Sequence, residues 1–128
     1  VHFVEARAVG YAGPRFDLIC FFDCLHDMGH PLAAVSHAKS SLAPGGTVMV
    51  IEPFANDRPE DNINPVARIY YAASTTLCCA HAMSEQGTHV LGAQAGERRI
   101  ARLFQQAGFQ HFRRAAETPF NLVFEARV

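Results

Sequence analysis

Two apolar runs in this chain end in side chains that can do acid–base chemistry. Phe16 to Phe22 is followed by Asp23, Cys24, His26 and Asp27, and Thr47 to Ile51 is followed by Glu52 and Pro53. A neighbouring His and Asp can supply a general base and its charged partner, because imidazole titrates near neutrality and a carboxylate favours its cationic form. His26 and Asp27 are therefore the candidate catalytic pair, suited to taking a proton from a hydroxyl or ring-nitrogen acceptor. The same residues have a structural reading, in which they cap and orient the turn into the next helix, with His30 in the N-cap position before Pro31. A metal reading rests on Cys24, His26 and His30, spaced C-x-H-x3-H, and on a second group of soft ligands, Cys78, Cys79 and His81. Neither spacing matches a common zinc pattern, and adjacent cysteines rarely ligate together, so no metal is expected.

The elements that must position these groups form a strand-helix-strand unit. Phe16 to Phe22, bounded by Pro14 and Asp23, suits a strand covered on both faces. Pro31 opens a helix in which Val35, Ala38 and Leu42 fall on one side and Lys39 and Ser40 on the other, and Pro44-Gly45-Gly46 stops it. Thr47 to Ile51 is a second buried strand. One helix between two such strands makes a right-handed crossover with parallel strands. In open parallel sheets ligands sit beyond the carboxyl ends of the strands, where His26, Asp27 and Glu52 fall.

This unit and the chain after it resemble the class I S-adenosylmethionine-dependent methyltransferases. The likeness lies in the strand ending in FFDCLHD, the LAPGG turn, the strand ending in VIEP, a GFQHF strand after an amphipathic helix, and the closing TPFNLVFEARV arm. It looks closest to a bacterial branch whose catalytic domain follows a winged-helix domain, and it covers that domain's second half. The resemblance implies a partial Rossmann-like α/β sheet, mostly parallel with an antiparallel C-terminal strand and lacking the first two strands. It implies S-adenosyl-L-methionine as cofactor, with contacts at Phe22 and Asp23 and at Arg7-Ala8, where Asp-Ala is typical. Val1 to Ala8 then falls on the family's third strand. Many such enzymes act mainly by aligning the sulfonium methyl with the acceptor, so a base is not obligatory.

The family's glycine-rich turn, which follows its first strand, has no counterpart among these residues; Gly45-Gly46 precedes a strand and reads as a turn. The expectation is a single truncated domain over residues 1–128 that transfers methyl groups to a small-molecule acceptor as part of a longer enzyme and is inactive alone. The alternative is a non-catalytic dimerisation or small-molecule binding module. Without the first two strands, Phe16 to Phe22 becomes an open edge, which Val1 to Ala8 could cover only by folding back or by swapping into a neighbour. A homodimer, or pairing with the missing N-terminal half, is expected.

Residues 54–96 form a lid-like helical insertion. Its polar start, ANDRPEDNINP, precedes a helix from Pro65 in which Ile69, Tyr70, Ala73, Thr76, Leu77 and Ala80 form one stripe. That helix either packs on the sheet or on a dimer mate, or covers the substrate. In the second case Glu52, Tyr70, Tyr71 and His81 contact the acceptor, and the scarcity of charge favours an aromatic or lipophilic molecule. Glu97 to Ala107 is an amphipathic helix with Ile100, Leu103 and Phe104 on one face, and Phe109 to Ala116 and Phe120 to Val128 read as strands. The resemblance implies that these two are paired antiparallel, with the final one inserted between the preceding strand and the centre of the sheet.

Composition bounds the remaining classes. The 128 residues, with 49% hydrophobic side chains, supply one modest core, and a net charge of −1 gives no field to attract nucleic acid or an anionic membrane. No apolar run approaches the roughly 18 residues of a membrane span. The four cysteines include an adjacent pair and show no disulfide framework. A cytoplasmic protein with reduced thiols is the expectation.

Overall fold

The computed structural model describes all residues, 1–128. In chain order it contains β1 (Phe16–Phe22), α1 (Pro31–Ser41), β2 (Leu42–Pro53), α2 (Pro65–Ala73), α3 (Cys79–Ser84), α4 (Glu97–Gln106), β3 (His111–Glu117) and β4 (Asn121–Arg127). Short 3-10 turns lie at Leu25–Asp27 and Pro59–Asn62, and a π-helical turn at Ser74–Cys78 joins α2 to α3. The four strands form one sheet in the order β1-β2-β4-β3. β1 and β2 are parallel, as the single intervening helix requires, and β4 runs antiparallel to both its neighbours. The last strand therefore inserts between β2 and β3, as the resemblance implied.

Strand alternation decides which side chains enter the core. Val48, Val50 and Glu52 of β2 and Leu122, Phe124 and Ala126 of β4 point to one face and are buried. Against them pack Ala34, Val35 and Ala38 of α1 and Ile100, Leu103 and Phe104 of α4. Phe104, Phe109, Phe112 and Phe124 meet ring to ring, with the Phe112 and Phe124 centroids 5.1 Å apart.

Several expectations are corrected. β1 is covered on one face only: Phe21 is buried, but Leu18 is 54% and Phe22 61% exposed, because both long helices lie on the other side of the sheet. Residues 1–7 form no strand and are exposed. A strand needs a partner for its backbone, and this segment pairs with neither β1 nor any other edge.

The Pro-Gly-Gly stretch does not separate helix from strand. α1 stops at Ser41 and β2 begins at Leu42, with the stretch held as an irregularity between the pairs Phe16↔Leu42 and Leu18↔Thr47. Gly46 is required there, since a Cβ would come within 2.9 Å of the Phe16 carbonyl oxygen. The C-terminal strands are also shorter than expected, His111–Glu117 and Asn121–Arg127, and Phe120 is exposed in the turn between them.

In the insertion, Ile69, Thr76, Leu77 and Ala80 of the stripe are exposed, Leu77 at 66%, while Tyr70 and Ala73 are half-buried. The buried side is Ala67, Ser74, Cys78 and Ala82, small residues that allow close packing. No helix is long and apolar enough to cross a membrane.

Candidate functional site

The carboxyl ends of β1 and β2 assemble the site. Asp23, just past β1, still pairs its N–H with the Ile51 carbonyl at 2.8 Å, then turns the chain with φ +46°, a conformation Asp tolerates better than most residues. The 3-10 turn Leu25–Asp27 follows, anchored by the fully buried Leu25. On β2, the alternation that buries Val48 and Val50 also buries Glu52, at 2% exposure, beneath this turn.

A buried carboxylate must have its charge and lone pairs answered. Glu52 Oε1 accepts the Leu25 backbone N–H at 3.0 Å, and Oε2 accepts from His26 Nδ1 at 2.6 Å. His26 is itself only 5% exposed. The bond to Glu52 assigns the Nδ1 proton and leaves Nε2 as the nitrogen that can take up a further proton.

Burial pulls the His26 pKa down, but the Glu52 hydrogen bond and the charges of Glu52, Asp27 and Asp23 outweigh it and leave it above the ordinary imidazole value. Burial pushes the Glu52 carboxyl up, opposed by its bonds from His26 and Leu25. The result is an oriented base with raised proton affinity.

Around Nε2 stand two further groups. Asp27 Oδ1 lies 3.2 Å away, buried and within ion-pair reach of a protonated His26, while the rest of its side chain reaches solvent. Cys78 arrives from the π-helical turn of the insertion, within 4.8 Å of the His26 ring, its thiol pushed up to about 11 by burial and by its hydrogen bond to the charged Asp27. That turn is fixed by Ser74 Oγ, which accepts the Ala93 N–H at 3.0 Å and sits against Gly92, where a Cβ would come within 2.4 Å of it.

Asp23 is held from the other side by Asn121, whose Nδ2 donates to Oδ1 at 3.0 Å and lies 3.2 Å from Oδ2. Beyond the turn, Arg7, Ala8, Met28, His30 and Glu85 line a cleft of about 380 Å³. Glu85 Oε2 shapes its floor by accepting the Gly29 N–H at 2.8 Å.

The predicted site residues thus divide. His26, Asp27 and Glu52 converge, with Asp23 at the same strand end; Glu52, expected to meet the acceptor, instead lies behind His26 and holds it. Arg7 and Ala8 lie together in the cleft. Phe22 points to the uncovered sheet face. Tyr70 donates its hydroxyl to the Phe120 carbonyl at 3.0 Å, and burial, with a smaller push from the Asp23 charge, raises its pKa. Tyr71 and His81 are exposed, and His81 Nε2 is 3.9 Å from a Glu85 carboxylate oxygen. His30 occupies the N-cap position of α1 but makes no side-chain cap bond.

Asn121, Glu85 and the closeness of Cys78 to His26 were missed by the sequence reading. Asn121 lies 98 residues from Asp23, and nothing local marks the pair. The soft-ligand group around Cys78 was visible, but not that it faces the HisAsp turn.

No curated protein sequence matches the chain. Among solved structures the fold is similar to human N-acetylserotonin methyltransferase in complex with SAM, with TM-score 0.68, 22% identity, and coverage of 98% of this chain and 33% of that one. It is also similar to an O-methyltransferase family protein from Burkholderia thailandensis, with TM-score 0.64, 19% identity, and coverage of 98% and 35%. TnmH gives TM-score 0.75, 19% identity, and coverage of 99% and 35%. At these identities the likeness is one of fold, and the chain spans about a third of the length of each structure. The mixed sheet is thus a partial methyltransferase fold. The model of the methyltransferase domain family matches residues 2–112, most of the sequence, and the chain belongs to that family.

Proposed function

We propose that these residues form part of an S-adenosylmethionine-dependent enzyme that methylates a hydroxyl or ring nitrogen of an aromatic or lipophilic small molecule. The observation that carries this reading is the His26–Glu52 pair, buried and oriented at the strand ends of a methyltransferase-family chain. S-adenosylmethionine, when bound, supplies an electrophilic methyl group. His26 Nε2 accepts the acceptor's proton as the oxygen or nitrogen attacks, and Glu52 holds the imidazole in the required tautomer and stabilises its cation. Asp27, at the solvent side of Nε2, steadies the same charge.

The residues present fit one side of the cofactor. The Arg7-Ala8 cleft of about 380 Å³ falls within the size range of small-molecule sites, and Asp23 offers a carboxylate at the end of β1, held by Asn121. No glycine-rich turn after a strand occurs among residues 1–128. Cofactor binding by this chain alone is therefore expected to be weak or absent, with activity residing in a longer, cytoplasmic enzyme. The open edge of β1, with Leu18 and Phe22 exposed on its bare face, favours pairing with a preceding segment or with a second copy. Tyr70, Tyr71 and His81 are proposed to meet the acceptor from the insertion.

Two measurements test the reading. Titration with S-adenosylhomocysteine is expected to give binding in a longer protein containing the glycine-rich turn and little in residues 1–128. Transfer of labelled methyl from S-adenosylmethionine to a panel of phenols by the longer protein is expected to fall sharply in His26→Ala. Undiminished transfer in that variant removes the base, and absence of both binding and transfer in the longer protein removes the enzyme reading in favour of an interaction module.

A further inference from the structure

The structure assigns to His26, Asp27 and Cys78 a binding site for a divalent cation of the Zn2+ class. An imidazole nitrogen of His26, a carboxylate oxygen of Asp27 and Cys78 Sγ all lie within 4.8 Å of one another. Two zinc ligands at about 2.0–2.1 Å on a tetrahedron are separated by about 3.3 Å. The Nε2 to Oδ1 distance is 3.2 Å, so these two atoms already span one tetrahedral edge. Nitrogen, carboxylate oxygen and thiolate sulfur form a mixed set of the kind zinc accepts, and three protein ligands leave a fourth position open.

Three independent features support the assignment. Asp27 Oδ1 is buried and no nitrogen donor is bonded to it, and the Asp27 carboxylate is held by a hydrogen bond from the Cys78 thiol, whose proton a cation would replace. Behind His26, the Glu52 carboxylate accepts from Nδ1 at 2.6 Å, the outer-shell arrangement that orients metal-bound histidines and raises their basicity. Cys78 is the last residue of a π-helical turn, a rare geometry that re-aims side chains and is frequent at functional sites. The exposed part of Asp27 gives the ion a route in from solvent. Binding would displace the Cys78 thiol proton to solvent as the S–metal bond forms, with no change of oxidation state.

The site is independent of the methyl-transfer reading, since it requires only these side chains. If both hold, an ion on Nε2 takes the lone pair that the base needs, so metal binding and proton acceptance exclude each other.

Co2+ is the probe, because a cysteine ligand gives a sulfur-to-cobalt charge-transfer band in the near ultraviolet. The purified protein is expected to show this band on titration with Co2+ and to lose it when Zn2+ is added. Cys24→Ser and Cys79→Ser are expected to keep it and Cys78→Ser to lose it. A band absent from the parent protein, surviving in Cys78→Ser, or lost in either control overturns the site. Because Cys78 is buried and its variant could misfold, Glu52→Gln and Asp27→Asn form a second arm, with folding checked by circular dichroism. Glu52→Gln is expected to weaken Zn2+ by about 10–100-fold, the usual effect of removing an outer-shell partner. Asp27→Asn is expected to weaken it also while retaining the charge-transfer band, and unchanged Zn2+ affinity in both overturns the assignment.

Discussion

The strand-end pair and the insertion both carry ionisable or hydroxyl side chains, yet their surroundings differ. His26 and Glu52 come from two adjacent parallel strand ends, are nearly inaccessible, and each fixes the other. Tyr71 and His81 sit on helical turns whose buried side consists of small residues, and they face solvent. Tyr70 alone in that group has a fixed partner, a backbone carbonyl in the β3–β4 turn. The contrast separates a group that can be held at one tautomer and position from groups able to adapt to whatever they meet. A reaction needs the first kind at the atom that changes, and a variable acceptor can be met by the second.

The sharpest way to break this comparison is His26→Ala in the longer enzyme. Loss of a positioned base is expected to lower methyl transfer by about 10²–10⁴-fold, whereas Tyr71→Phe and His81→Ala should raise KM with little change in kcat. Equal effects on kcat in the two regions would erase the distinction.

Next in size is the stability of the pair. Glu52→Ala leaves His26 buried without its partner and is expected to destabilise by about 3–5 kcal/mol in denaturant unfolding. Leu77→Ala, on the outer face of the insertion, should stay within about 0.5 kcal/mol.

Glu52→Gln sharpens the electrostatics. The His26 ring should titrate above the ordinary value near 6.5 by NMR, and its midpoint should fall in the variant as the carboxylate charge is lost. Because the folded-state value is raised, the stabilisation from protonated His26 is fully present below the unfolded value near 6.5. It is lost as pH rises through the folded-state value. The Tm difference between parent and Glu52→Gln should therefore shrink as pH climbs above that window, and a difference that does not change with pH contradicts the pairing. The smallest effect expected is that of Tyr70→Phe, about 1 kcal/mol for one hydrogen bond at a half-buried position.

Local pattern was enough to identify the strand-helix-strand unit, the amphipathic helix carrying Ile100, Leu103 and Phe104, and the closing antiparallel pair. Each has an apolar period that matches its geometry within one stretch of chain. The HisAsp turn was likewise readable as a strand-end feature, because polar residues following a buried run must lie where the strand stops.

What the chain pattern could not decide were matters of pairing and facing. Val1 to Ala8 alternates like a strand, but a strand exists only when its backbone bonds a neighbour, and this segment pairs with none of the four strands. The stripe from Ile69 to Ala80 is apolar, yet the small residues Ala67, Ser74, Cys78 and Ala82 pack inward because they permit a closer approach. Glu52 looked like a ligand contact and is instead the support behind His26. Its direction follows from the pleat of β2, but its partner is set by the parallel register that brings residue 52 beneath residue 26. The same register, with a π-helical turn arriving from the insertion, brings Cys78 to His26 and Asp27. Sequence spacing carries the chemistry of each side chain, while only tertiary packing determines which of them share one space.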